Sequence, residues 1–214
     1  MCTLQKLYSL NVSTLQWAIK WRQPFSITVI LACAILLLIT PPTWQHESVS
    51  GMLLDSISLV LIVIATFGRL WSSLYISGHK EHRLVAEGPY SIVRNPLYVF
   101  SFIGALGLGL ATLHLSVLII ISAAFILYYP LVVLAEEHNL RQIFGSDYEQ
   151  YRSQVPRFYP RRFKMIEPDT YPVRPGHVRR SMQEIVCFFW AYLFLKMIVV
   201  IQDDRWLPSS AFNL

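Results

Sequence analysis

HRLVAEGPYSIVRNPLYV, residues 82–99, gathers two prolines, a glycine, two arginines and a histidine between two long apolar runs. The flanking runs, residues 57–77 and 96–113, each approach the roughly 30 Å needed to cross hydrocarbon at about 1.5 Å per residue. The polar stretch is therefore expected to be a loop at a membrane edge. Working outward, residues 25–40, 115–135 and 184–201 are apolar in the same way. The first of these is short, roughly 24 Å, and an interfacial Trp21 would extend it. Only Leu113 and His114 separate the third run from the fourth, which predicts an antiparallel helical hairpin. The expectation is an all-α polytopic membrane bundle of about five spans, forming a single domain over residues 1–214.

Composition agrees with that solvent. Hydrophobic residues make up 54% of the 214 and charged residues 14%, where soluble domains carry about a quarter charged. Of the 18 lysines and arginines, all but Arg69, Lys196 and Arg205 fall before the first run or in the segments 78–95 and 136–183. The positive-inside rule then places the N-terminus and both segments in the cytosol and the C-terminus outside. The net charge of +5 is accounted for by topology and anionic lipid, so no nucleic-acid partner is expected. Residues 1–23 show no cleavable signal pattern. Cys2, Cys33 and Cys187 lie far apart and suggest no disulfide framework. His79 and His82 flank Glu81 without a third ligand at useful spacing, so no metal is expected. GALGLG, residues 104–109, lacks a preceding strand and reads as packing, with Ser101, Ala105 and Gly109 forming a small-residue ridge beside Gly104 and Gly107.

After the fourth run comes EEHNLRQIFGSDYEQYRSQVPRFYP, residues 136–160. Together with LVAEGPYSIVRNPLY, residues 84–98, it resembles the isoprenylcysteine carboxyl methyltransferase family and its relatives among the integral-membrane phospholipid methyltransferases. The resemblance implies S-adenosylmethionine as methyl donor, bound at the cytosolic membrane edge, with the cofactor motifs at residues 75–98 and 136–160. It also implies a lipidic or prenylated acceptor reached from the bilayer of a bacterial inner membrane or endoplasmic reticulum. By the same resemblance the cofactor is lined by His82, Arg83, Leu84, Val85, Tyr90, Asn95, Pro96, Leu97 and Tyr98. Glu136 is matched to a cofactor contact, which the resemblance implies is with the ammonium. Gly88-Pro89-Tyr90 reads as a turn bringing backbone close to ligand, and Pro96 suits a helix start, where its missing N–H costs nothing. The free amides of that helix start would receive the carboxylate of the cofactor.

Departures from the family concern the acceptor more than the cofactor. Arg94-Asn95-Pro96 stands where the family commonly has Arg-His-Pro, and Tyr75 falls on the position of a cofactor-contacting glutamine. Val132 replaces the arginine that receives a prenylcysteine carboxylate, so farnesylcysteine is expected to be a poor acceptor unless Arg69, Arg94 or Arg157 substitutes. The catalytic candidates are Arg94 for an acceptor anion, and Tyr98 or Glu137 as the group taking a proton from an amine or thiol. Tyr148 and Tyr151 share a helical face and serve equally as packing or ligand contacts. The competing classes are a sterol-type membrane reductase, which would bind NADPH, and a noncatalytic membrane scaffold.

Overall fold

The computed structural model describes residues 12–77, 83–161, 165–171, 173 and 175–203, and among these all regular structure is helical. The helices are α1, Val12–Ile39; α2, Val49–Ile76; α3, Pro89–Ile92; α4, Pro96–Ala111; α5, Leu115–Gln154; and α6, Pro175–Asp203. Four of them are long and apolar enough to cross a bilayer, over Gln16–Ile39, Val49–Ile76, Leu115–Gln154 and Val178–Val200. The expected span at residues 96–113 becomes the 16-residue α4, roughly 24 Å long. Pro96 and the non-helical Asn95 set its start, and at its end the Thr112 hydroxyl donates to the Gly109 carbonyl at 2.7 Å. α1 and α2 begin well before residues 25 and 57, because apolarity marks hydrocarbon depth while the helices continue through the interface. Ser48 caps α2, accepting from the Gly51 N–H at 3.0 Å.

The closest packing joins α2 to α4, and glycines permit it. A Cβ on Gly68 would meet the Phe100 ring at 2.1 Å, and one on Gly107 would touch Ile62 and Leu61 at 3.1 Å. Gly104 faces Ala65 and Phe188 in the same way, and Gly109 faces Leu118 of α5. The small-residue ridge is thus divided: Gly104 and Gly107 make the close approach, while Ser101 and Ala105 line a cavity.

Two faces emerge at the helix ends. On one, the Thr43 N–H donates to the Leu113 carbonyl at 2.9 Å, and His114 Nε2 lies 3.0 Å from the Thr40 carbonyl. Near it Lys196 of α6 pairs with Asp55 of α2 at 2.6 Å, and His46 approaches the same carboxylate at 3.2 Å. Asp55 and Lys196 therefore tie α6 to α2. The opposite face carries both motifs. α5 has 40 residues, about 60 Å and twice the hydrocarbon thickness, so its part beyond Ala135 stands outside the hydrocarbon. Gly145 interrupts it with φ 50° and ψ −117°, which turns the tail back toward α3 and α4.

Candidate active site

The two motifs are joined through Glu137. Its carboxylate accepts from Arg157 Nε at 3.0 Å and Nη2 at 2.7 Å, from Arg94 Nε at 3.1 Å, and from Asn95 Nδ2 at 3.0 Å. Arg94 also donates through Nη1 to the carbonyls of Arg152 at 3.0 Å and Val155 at 2.8 Å, and its N–H donates to the Pro156 carbonyl at 2.8 Å. The side chains of Glu137 and Arg94 are only 7% and 8% exposed, and the one carboxylate is the counter-charge for both guanidinium groups, Arg94 and Arg157. Burial pushes the Glu137 carboxyl up, but the hydrogen bonds and charge of Arg157, then those of Arg94, outweigh it and hold the group below its ordinary value.

Glu136, the preceding residue, points elsewhere. It accepts from the Tyr98 hydroxyl at 2.8 Å, and the same hydroxyl accepts from Arg22 Nη1 of α1 at 3.2 Å. Glu136 also lines a cavity of about 350 Å³ at the membrane edge, together with Arg83, Leu84, Val85, Tyr90 and Arg94. The wall is completed by Ile19 and Ile76 and, on the α5 tail, by Asn139, Leu140, Ile143, Phe144 and Tyr151. Tyr151 donates to the Tyr90 carbonyl at 2.7 Å, so it serves the wall and the packing together. The Tyr90 hydroxyl is buried in that wall and has no hydrogen-bond partner among the described residues. Burial, then Tyr151 and Glu136, raise its phenol above the ordinary value. Apolar surface, one exposed carboxylate, two guanidinium groups and an orphaned hydroxyl together suit a ligand that is flat and apolar at one end and zwitterionic at the other.

Tyr75, Gly88, Asn95, Pro96, Leu97 and Tyr98, also expected to touch the cofactor, are not among the residues that line this cavity. Asn95 turns to Glu137. Pro96 and Leu97 begin α4, and the N–H groups of Tyr98 and Val99 donate to the Asn95 carbonyl, so these two amides are already used. Tyr75 is 4% exposed, stacks on Tyr171 at 4.4 Å and donates to Glu167 at 3.1 Å. Gly88 has φ 58°, and a Cβ there would lie 2.4 Å from the Tyr75 ring, so this glycine serves a close side-chain approach. Its N–H donates to the Ile166 carbonyl at 2.7 Å, and residues 166–171 thus strap the first motif loop from outside. His82 lies outside the described residues. Sequence reasoning passed over Ile19 and Arg22: both lie in α1, far from either motif, where a lone arginine carries only a topological signal.

A family model described as phospholipid methyltransferase matches residues 48–147. The nickel-cobalt-cadmium resistance protein NccN of Alcaligenes xylosoxydans xylosoxydans is 35% identical over 182 residues, 85% of this chain and 84% of that protein. The cobalt-zinc-cadmium resistance protein CzcN of Cupriavidus metallidurans is 37% identical over 78% of this chain and 74% of its own length. Protein-S-isoprenylcysteine O-methyltransferase of Schizosaccharomyces pombe is 37% identical over 82 residues, 38% of this chain and 35% of that protein. No solved structure matches. On these grounds the chain is an integral-membrane methyltransferase and belongs to the phospholipid methyltransferase family, among its isoprenylcysteine O-methyltransferase-like members.

Proposed function

We propose that the protein methylates a lipidic or prenylated acceptor with S-adenosylmethionine, at the cytosolic edge of a bacterial inner membrane or endoplasmic reticulum. The observation that carries this reading is the edge cavity, in which Glu136 and the orphaned Tyr90 hydroxyl stand among apolar side chains. When bound, S-adenosylmethionine supplies a methyl group activated by a sulfonium. Glu136 would hold its ammonium, Arg83 and Arg94 give the wall the positive potential its carboxylate requires, and Leu84, Val85 and Phe144 accept the adenine. Of the three catalytic candidates, Arg94 and Glu137 act as positioning residues, because each is committed to the other and to Arg157 or the α5 tail. Tyr98 reaches the cavity through Glu136, to which its hydroxyl donates at 2.8 Å. NccN and CzcN are named for resistance to metals, and in such a setting the role proposed here is methylation of a membrane component.

Calorimetry on the purified protein tests this against the reductase alternative. S-adenosylhomocysteine should bind and NADPH should not. Glu136→Ala and Tyr90→Ala should each weaken that binding by about 1–3 kcal/mol. NADPH binding without S-adenosylhomocysteine binding would replace this reading with the reductase one, and unchanged affinity in both variants would remove the two residues from the site.

A further inference from the structure

α1 lies wholly outside residues 48–147, the part of the chain matched to the family, yet it meets the candidate site at two points. Ile19 lines the edge cavity. Arg22, about one turn further along, reaches Tyr98 and Glu136. The helix is fixed there by a seam with α5. The Tyr128 hydroxyl donates to the Ala18 carbonyl at 2.7 Å, the Tyr128 ring stacks on Phe25 at 4.0 Å, and Ala18 is buried with Tyr128 and Val132. Ala18, Arg22 and Phe25 recur at helical spacing on α1, as Tyr128, Val132 and Glu136 do on α5. The packing that joins the two helices therefore also sets Arg22 opposite Glu136.

The hydrogen bonds at this point have a fixed direction. A guanidinium can only donate, so Arg22 Nη1, 3.2 Å from the Tyr98 oxygen, occupies a lone pair of that hydroxyl. The Tyr98 proton then goes to Glu136 Oε1, at 2.8 Å. Arg22 Nη1 is also 3.5 Å from the same Oε1, so both partners hold the carboxylate by one oxygen. The other, Oε2, accepts from no described residue, and Glu136 lines the edge cavity. The side chains of Arg22 and Glu136 are 41% and 36% exposed, so water screens their direct attraction. An orienting hydrogen bond and a competing charge have opposite consequences for a ligand ammonium, which makes the role of Arg22 measurable.

We infer that Arg22 is a positioning residue: acting through Tyr98, it holds Glu136 with Oε2 left for the ammonium of an adenosyl ligand that carries an amino-acid end. The inference rests on the cofactor reading proposed above, and it adds to the site a residue from outside the family match.

Calorimetry on the full-length protein in maltoside micelles tests it with two ligands, S-adenosylhomocysteine and methylthioadenosine. The second keeps the adenosine and the thioether but lacks the ammonium and the carboxylate. The unaltered protein should prefer S-adenosylhomocysteine, and Glu136→Gln should reduce that preference. Arg22→Gln and Tyr98→Phe should each lower it about fivefold, as expected for one hydrogen bond, while methylthioadenosine binding stays as it was. The double variant should lose no more than Tyr98→Phe alone, because Arg22 acts through that hydroxyl. Arg22→Lys, which can still donate to Tyr98, should restore most of the preference. If Arg22→Gln does not melt cooperatively, Arg22→Met, which keeps the aliphatic stem, takes its place. A raised preference in Arg22→Gln would show that Arg22 competes with the ammonium and would overturn the inference. An unchanged preference, a further loss in the double variant, or equal weakening of both ligands would overturn it as well. Reduced preference in Glu136→Gln with none lost in Arg22→Gln refutes the role of Arg22 and leaves the cofactor reading intact. If the unaltered protein binds neither ligand, or both equally, the reading of Glu136 as the ammonium contact fails first and this inference falls with it.

Discussion

Glu136 and Glu137 are neighbours in the chain, but successive helical positions point about 100° apart, and that rotation sends them to different surroundings. Glu136 faces the edge cavity. Glu137 faces Arg94, Asn95 and Arg157, and its removal would leave two guanidinium groups without their counter-charge. Glu137→Ala should therefore destabilise the protein by about 3–5 kcal/mol, read as a lower midpoint of thermal unfolding in detergent. Because the folded carboxyl titrates below its ordinary value, its stabilisation is complete above about pH 4.3, the ordinary glutamate value. It is lost as pH falls through the lower folded value. Glu137→Gln should lack this acid-dependent component, and an identical acid profile in the variant would show that the carboxylate is not what titrates. The acidic pair was legible in the sequence as a chemical feature. Which member faces ligand and which faces arginine depends on helix phase and on partners some 20 and 43 residues away.

At the scale of elements, α5 acts as two helices with one purpose. Its first part crosses the bundle, and its tail returns Arg152, Val155 and Pro156 to Arg94. Gly145 makes the turn, with a backbone conformation that side-chain-bearing residues rarely adopt and with nothing within 4 Å of a Cβ placed there. A Gly145→Ala variant meets no clash, so its entire effect is backbone strain of about 1–3 kcal/mol. It should lower thermal stability and loosen the Arg157 to Glu137 contact, seen as faster hydrogen exchange in the tail; wild-type stability and exchange would mean that the bend is not required. The FG pair at residues 144–145 was visible as part of a motif, whereas the sign of φ was not. α4 shows the converse: its apolar length was plain, but its short span follows from Pro96 and from the Thr112 turn, both of which limit the helix from its ends.

For the whole molecule, orientation is the proposal with the widest consequence. The charge distribution and the clustering of both motifs at one end of the bundle support a cytosolic site. A cysteine introduced at Ser146, which is exposed, in a background without other cysteines should resist an impermeant maleimide in intact cells and react after lysis. Labelling of intact cells would reverse the topology and place the edge cavity on the outer side.

The helical class, the membrane setting and the family were readable from composition, apolar run length and motif spacing, because each is a local or summed property of the chain. The positions of Leu84, Val85, Tyr90 and Glu136 on a cavity wall follow from the same motifs once they are brought to one end of the bundle. The tertiary structure alone turned Tyr75 toward Tyr171 and Glu167, committed Glu137 to two arginines, and brought Arg22 to Tyr98 across 76 residues of sequence. Side-chain direction and long-range partnership depend on helix phase and on which faces the packing brings together, and neither is encoded in the spacing within a motif.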